Sequence, residues 1–158
     1  MSAYEQSLWA AVRNRLTSDA TLVSLAGGGI AWEQLPTGVG IPAITINQTS
    51  ISNRDAFTTM IDEVNFDVHV WAESAGVGTD GGDPASTCAT IMERIRGDWM
   101  DQATRIPSFG LDRHQLTLSG SSCLATLMER TTGWVAAHEG TDIHWYMSFH
   151  VFISKGIP

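Results

Sequence analysis

The chain has 158 residues and a formal net charge of −8, with 43% hydrophobic and 16% charged residues. This length fits one domain with one core, and no apolar run approaches the roughly 20 residues that a membrane-spanning helix needs. The nine basic residues are scattered and outnumbered, which argues against a surface that tracks nucleic-acid phosphates. No basic region followed by an apolar run opens the chain, so we expect no signal peptide and a protein that stays in the cytosol where it is made.

Two helices are predicted at the beginning of the chain. The first covers the segment SAYEQSLWAAVRNRL, where Tyr4, Leu8, Val12 and Leu16 recur every four residues and form an apolar stripe. A shorter helix, SDATLVSLA, starts from an Asp or Ser cap. It ends at the glycines of residues 27–29, where a positive φ is tolerated.

Strands follow for residues 30–32 and 43–49, on either side of a loop rich in proline and glycine. The next strand, residues 61–71, alternates with the period of two that is typical of a strand with one buried face. Its apolar parity holds Val64, Phe66, Val68 and Val70. Its polar parity holds Glu63, Asn65, Asp67, His69 and Trp71.

The second half of the chain predicts one more helix and three more strands. Residues 85–99 read as a helix, because Asp83 is a suitable cap and Pro84 a suitable first residue. Its apolar face consists of Cys88, Ile91, Met92, Ile95 and Trp99. Strands are predicted around residues 113–118 and 123–130, where alternation is weak. The last strand, residues 143–153, has six large apolar side chains on one parity and should be central in the sheet.

The predicted fold class is α+β, with a mostly antiparallel sheet of four or five strands and two main helices packed on one of its faces. Residues 1–158 form a single domain. Projecting loops are expected near residues 50–60, 72–84 and 131–141. Cys88 and Cys123 lack the spacing of a metal or redox motif and are read as small buried side chains rather than a disulfide.

The outward side chains do not form a recognisable catalytic site. His144 and His150 are separated by roughly 20 Å along an extended strand, too far to share a metal ion. Glu63 and Asp67 are about 13 Å apart, beyond the separation of paired glycosidase carboxylates. The glycine-rich run near residue 80 lacks the Lys-Ser/Thr of a phosphate-binding loop. We therefore expect no enzyme, no metal and no cofactor.

Outward aromatic residues instead favour a surface that binds other proteins. Trp71, Tyr146 and Phe152 lie on the parity opposite the core residues, and Trp134 lies in the turn-rich segment GWVAAHEG. Aromatic side chains of this kind are enriched at protein–protein contacts. The six tryptophans are many for a chain of this size.

The order of elements resembles the small tail-completion or tail-terminator proteins of long-tailed bacteriophages. The resemblance is carried by five segments in sequence, LTSDATLVSLAGGGIAW, IPAITINQTS, VNFDVHVWAES, ASTCATIMERIRGDW and DIHWYMSFHVFIS. It implies a structural virion protein that forms a ring, usually hexameric, at the head-proximal end of the tail. Its partners would be copies of itself, the major tail tube protein and a head-completion or connector protein. DNA would pass through the ring without specific binding, and no membrane is involved.

Two groups of residues are candidates for such contacts. The candidate subunit or partner interface consists of Arg54, Asp55, Phe57, Trp71, Trp134, His138 and Tyr146. The candidate acidic face, directed at the lumen or at an interface, consists of Asp62, Glu63 and Asp67. Two alternatives stay open. One is a head-side adaptor or stopper, and the other is a small enzyme or ligand-binding domain that uses His69, His144 and Tyr146 in a shallow pocket.

Overall fold

A computed structural model describes residues 3–35, 37–38, 40–53, 60–73, 84–97, 109–113, 115–118, 124–136 and 142–155. The helices are α1 (Ala3–Thr17), α2 (Ala20–Leu25) and α3 (Pro84–Arg96). The strands are β1 (Ile30–Trp32), β2 (Ala43–Asn53), β3 (Met60–Glu73), β4 (Gln115–Thr117), β5 (Leu124–Ala136) and β6 (Asp142–Lys155). Within this part of the chain, no helix has the length and apolar character needed to cross a bilayer.

The strands form one sheet in the order β1-β2-β3-β6-β5-β4. Only the pair β1 and β2 is parallel among the described strands. β3 and β6 pair along their whole length, from Met60 opposite Lys155 to Glu73 opposite Asp142. The α+β class and the central position of the last strand are confirmed. Among the described residues the sheet has six strands rather than four or five, because the three-residue strands β1 and β4 extend it at both edges.

One face of the sheet carries the hydrophobic core. Phe66 of β3 and Phe149 of β6 are fully buried, and their rings stack with centroids 5.3 Å apart. The apolar stripes of α1 and α3 belong to the same core. The predicted stripe residues that are buried there are Leu8, Val12, Leu16, Cys88, Ile91, Met92 and Ile95. Both main helices therefore pack on one face, as predicted, while Trp99 and the side chain of Tyr4 lie outside the described part of the chain.

Polar contacts fix the ends of the helices. Asp19 caps α2 by accepting hydrogen bonds from the backbone N–H groups of Thr21 and Leu22. Its carboxylate also binds Arg94 of α3 through Nε at 2.5 Å and Nη2 at 2.8 Å. α3 ends at Arg96, earlier than predicted, because Gly97 adopts a φ of +98° and turns the chain away.

Cys88 is a free, buried cysteine, in agreement with the sequence-based interpretation. Burial raises the pKa of its thiol to about 11. The side chain therefore stays protonated and unreactive at neutral pH and acts as a small apolar residue. Cys123 lies outside the described residues.

The predicted loop near residues 131–141 is partly wrong. Residues 131–136 continue β5, which pairs with β6 as far as Ala136 opposite Ile143. A β-bulge between Glu129 and Thr131 shifts the alternation by one residue, so the sequence does not show one continuous strand there. Asp112 accepts a hydrogen bond of 2.8 Å from the backbone N–H of Glu129 and stabilises this bulge.

The ends of the other two predicted loops belong to regular elements. Residues 50–53 extend β2, residue 60 begins β3, and residues 72–73 extend β3 at its other end. Residues 54–59, 74–83 and 137–141 lie outside the described part of the chain.

Candidate functional site

The face of the sheet opposite the core is called here the outer face, and the side chains that concern the site come from β2, β3 and β6. β2 contributes Thr45 and Asn47; β3 contributes Glu63, Asn65, Asp67, His69 and Trp71; β6 contributes His144, Tyr146, Ser148, His150 and Phe152. Strand register aligns them in rows, because residues opposite each other in a ladder point to the same side. The helices contribute their buried side chains to the core on the other face.

A cluster of aromatic rings lies at one end of the outer face and is called here the His–Trp cluster, made of His69, Trp71 and His144. Trp71 and His144 are cross-strand partners whose rings stack in parallel, with centroids 4.0 Å apart and an interplanar angle of 4°. Nδ1 of His69 lies 2.5 Å from Nε2 of His144. The indole N–H of Trp71 donates to the hydroxyl of Thr45 at 3.2 Å. Every ring of the cluster is thus held by a neighbour.

The two histidines of the cluster are held in the neutral form at pH 7. Burial lowers the pKa of His69, and the nearby carboxylate of Asp67 offsets part of that effect. Burial also lowers the pKa of His144, and the adjacent His69 lowers it further. A neutral imidazole has one donor and one acceptor nitrogen. One ring of the pair can therefore donate to the other, whereas two imidazolium ions would have to separate.

A cavity of about 590 Å³ opens over the His–Trp cluster. Its lining residues are Glu33, Gln34, Leu35, Thr45, Asn47, His69, Trp71 and His144. Asn47 donates from Nδ2 to the backbone carbonyl of Glu33 at 3.5 Å, while its Oδ1 is buried without a hydrogen-bond partner. The hypothesis of a shallow pocket placed His69 and His144 correctly, but Tyr146 does not line the cavity.

The candidate acidic face is divided by the structure. Glu63 is buried on the outer face, where its Oε1 lies 2.5 Å from Nε2 of His150. Asp67 is half-buried on the same face and accepts a hydrogen bond of 2.6 Å from the hydroxyl of Ser148. Asp62 is paired with the core residue Ile153 and is itself buried, which places it on the opposite face. The expected face of three acidic residues is therefore wrong, because successive strand residues point to opposite sides.

The candidate interface residues do not all lie on one surface. Trp71 and Tyr146 lie on the outer face, as expected. Trp134 belongs to β5 and not to a projecting loop. Its partner in the strand pairing is Trp145, and Trp145 packs against the core. Arg54, Asp55, Phe57 and His138 are outside the described residues. The structure thus brings together two of the predicted interface residues.

Sequence reasoning missed part of this site. The sequence could have indicated Thr45 and Asn47, since both lie on the outward parity of a predicted strand. It could not have indicated Glu33, because that residue depends on a backbone with φ of +60° after β1. In the part of the chain that is described, no group of three or more His, Cys, Asp or Glu residues is arranged to hold a metal ion.

Comparison with known proteins gives the family. The family described as tail completion protein gp17 matches residues 10–138. The chain belongs to this family. Membership in the tail completion protein gp17 family makes the protein a structural component of a phage tail, and a role in the virion follows. No curated protein sequence matches the chain significantly.

Two solved structures share the fold of this tail completion protein. A chain in the structure titled "Virion of native gene transfer agent (GTA) particle" aligns with a TM-score of 0.65 and 17% identity, covering 98% of this chain and 99% of that one. A second structure, whose title names no function, aligns with a TM-score of 0.59 and 14% identity, covering 99% of each chain. At these identities the likeness concerns the fold alone.

The histidine pair predicts a pH-dependent stability. Unfolded histidines take up protons below a pH of about 6.5, while the folded pair resists protonation because burial lowers both pKa values. Below that pH the unfolded state therefore binds more protons, and the free energy of unfolding should fall as pH drops from about 6.5 toward the lower pKa values of the folded pair. His144→Phe, which keeps a flat ring against Trp71, should make this fall shallower.

Urea unfolding of the wild type and the variant at several pH values measures the two slopes. Comparing slopes rather than absolute stabilities removes the effect of the substitution on packing. Parallel curves would contradict the assignment of the pH dependence to this pair.

Proposed function

We propose that this tail completion protein forms a hexameric ring that caps the head-proximal end of the tail tube. The ring ends tube polymerisation and joins the tail to head-completion proteins, without catalysis and without a cofactor. The observation that carries this proposal is the outer face. Its aromatic and polar side chains are ordered by the sheet, yet the helices pack only against the other side.

A closed ring needs two different patches on each copy, one for each neighbour. The outer face offers one such patch, since Trp71 and Tyr146 lie there on neighbouring strands and Phe152 is 38% exposed. Rigid aromatic side chains on a sheet lose little conformational entropy when they are covered. These features support a contact with a neighbouring subunit or with a tail protein.

The acidic character of the chain suits a ring through which DNA slides, because negative charge around a lumen prevents adhesion of phosphates. Asp67 is the residue of the outer face to test for this role. Glu63 is a poor choice, since it is buried against His150 and its replacement would disturb the fold. If Asp67→Lys leaves DNA ejection unchanged, repulsion by this residue has no part in the function.

The experiment that tests the proposal is imaging of tails assembled with and without the protein. Overgrown tubes are expected in its absence, and tubes of regulated length should return when the wild-type protein is supplied. Tyr146→Ala should fail to restore length, whereas Val23→Ala should restore it, because Val23 is 45% exposed on α2, away from the outer face.

Unfolding curves of both variants establish that they fold before the tails are compared. Tails of normal length without the protein would overturn the role as terminator. Normal tails that fail to join heads would instead support the head-side adaptor.

A further inference from the structure

The cavity over the His–Trp cluster has the walls of a site for a planar cation. The rings of Trp71 and His144 line it and stack in parallel within 4°, so each ring covers one face of the other and keeps its opposite face for a further planar group. Such surfaces attract guanidinium groups through the ring quadrupole and through stacking. The volume of about 590 Å³ leaves room for a long side chain to enter.

Two hydrogen-bond acceptors of the cavity favour a ligand that carries N–H donors. Oδ1 of Asn47 is buried without a partner, and the amide is oriented by the bond from its Nδ2 to the carbonyl of Glu33. A buried acceptor that lacks a donor is costly unless a ligand supplies one. The side chain of Glu33 is exposed at the rim and adds a carboxylate to the same lining.

The charges around the cavity also favour a cation. Glu33 lies in the segment after β1 and Asp67 lies on β3 next to Asn47 in the register, while neither arginine nor lysine is among the lining residues. β2 contributes the uncharged Thr45 and Asn47. On β3 and β6, the facing histidines are neutral at pH 7 because burial lowers their pKa values.

We propose that this cavity binds an arginine side chain presented by a different protein of the tail. Its guanidinium group stacks on the His–Trp cluster and donates to Oδ1 of Asn47 and to the carboxylate of Glu33. Arginine is preferred over lysine because a planar fork with five N–H donors satisfies both a flat ring and two acceptors. The choice of a tail protein as the source rests on the proposed function.

A second copy of this chain is a poorer source of the arginine. The chain carries a net charge of −8, so two copies repel each other. Three of the described arginines, Arg15, Arg94 and Arg96, already bind the carbonyl of Gly110 and the carboxylates of Asp19 and Glu129, while Arg13 is exposed on α1. A basic segment of another protein meets neither obstacle.

The test is a titration of the isolated protein with N-acetyl-arginine amide and, separately, with N-acetyl-lysine amide, followed by ¹H–¹⁵N correlation spectra. The arginine probe should shift the indole N–H signal of Trp71 and saturate with a dissociation constant on the order of millimolar, as expected for one side chain. The lysine probe should bind at least about fivefold more weakly. Binding should also weaken at pH values well below the ordinary histidine pKa, where the two histidines become charged despite the burial that lowers their pKa values.

Matched variants locate the site. Asn47→Leu should weaken binding of the arginine probe about tenfold. Asn65→Leu should leave binding unchanged, because Asn65 lies on the same face of the sheet but outside the cavity. Glu33→Gln is a second variant at the site. Because Glu33 is exposed, this substitution does not require the fold to tolerate a change at a buried position.

Equal binding of the two probes, or full binding by both Asn47→Leu and Glu33→Gln, would overturn the proposal. Self-association of the protein that these two variants abolish would overturn the assignment to a different protein. The titration involves no tails, so its failure leaves the ring proposal standing, and failure of the tail experiment leaves the binding site standing.

Discussion

Replacing Phe149 with alanine is expected to lower the free energy of unfolding by about 3–5 kcal/mol. The ring of Phe149 is fully buried and stacks on Phe66, so its removal loses apolar burial and leaves a cavity in the core beside Phe66. Phe66 and Phe149 lie on β3 and β6, the two central strands of the described sheet, where the surrounding side chains can fill the cavity only in part. Urea unfolding followed by circular dichroism measures the change.

Phe152→Ala is the matched control, because it removes the same ring from the same strand. Phe152 lies on the outer face, where 38% of it is exposed and its ring stacks on His150 with centroids 4.5 Å apart. We expect a loss of about 1 kcal/mol or less. Equal effects of the two substitutions would show that the assignment of the core to one face of the sheet is wrong.

Gly28→Ala is expected to destabilise the protein by about 3 kcal/mol or more. A Cβ atom at this position would lie 1.6 Å from the carbonyl oxygen of Gly40 and 2.7 Å from its carbonyl carbon. Both are backbone atoms, so no side chain can move aside. The backbone N–H of Gly28 also donates to the carbonyl of Pro42 at 2.8 Å, which holds the two segments together ahead of the parallel pair β1 and β2.

Substitutions at the two neighbouring glycines distinguish the effect of steric crowding on stability from the effect of backbone conformation. Gly27→Ala should change stability by no more than about 0.5 kcal/mol, because a Cβ there meets no atom within 4 Å. Gly29 also has open space but a φ of +94°, so Gly29→Ala should cost about 1 kcal/mol for its conformation alone. Thermal unfolding of the three variants gives the order, and a Gly28 variant as stable as the Gly27 variant would refute the close approach.

The sequence predicted those parts of the fold in which apolar side chains recur with one constant period along the whole element. Alternation in β3 and β6 identified the buried and outward sides of each strand, and the four-residue repeat of α1 identified its buried stripe. β5 was only half recognised, because the bulge after Glu129 changes the parity and Gly133 resembles a turn. Asp62 was grouped with Glu63 by charge, although neighbouring strand residues point to opposite faces.

The candidate site was harder to predict because it depends on pairing between distant segments. His69 meets His144 only because β3 pairs with β6 in one particular register. Asn47 enters the same cavity through the pairing of β2 with β3, and Glu33 enters through a left-handed backbone. None of these relations is a local pattern, so the sequence revealed the residue types without their convergence.

The pairing of β3 with β6 has a consequence for synthesis on the ribosome. β3 is made early, but one of its edges has no partner until residues 142–155 have left the exit tunnel. Contacts of such large sequence separation form slowly, and an unpaired strand edge is prone to association with other chains. The centre of the sheet is therefore completed only after β6 has been made, and nascent chains that stop before β6 should be substrates for chaperones or proteases rather than folded intermediates.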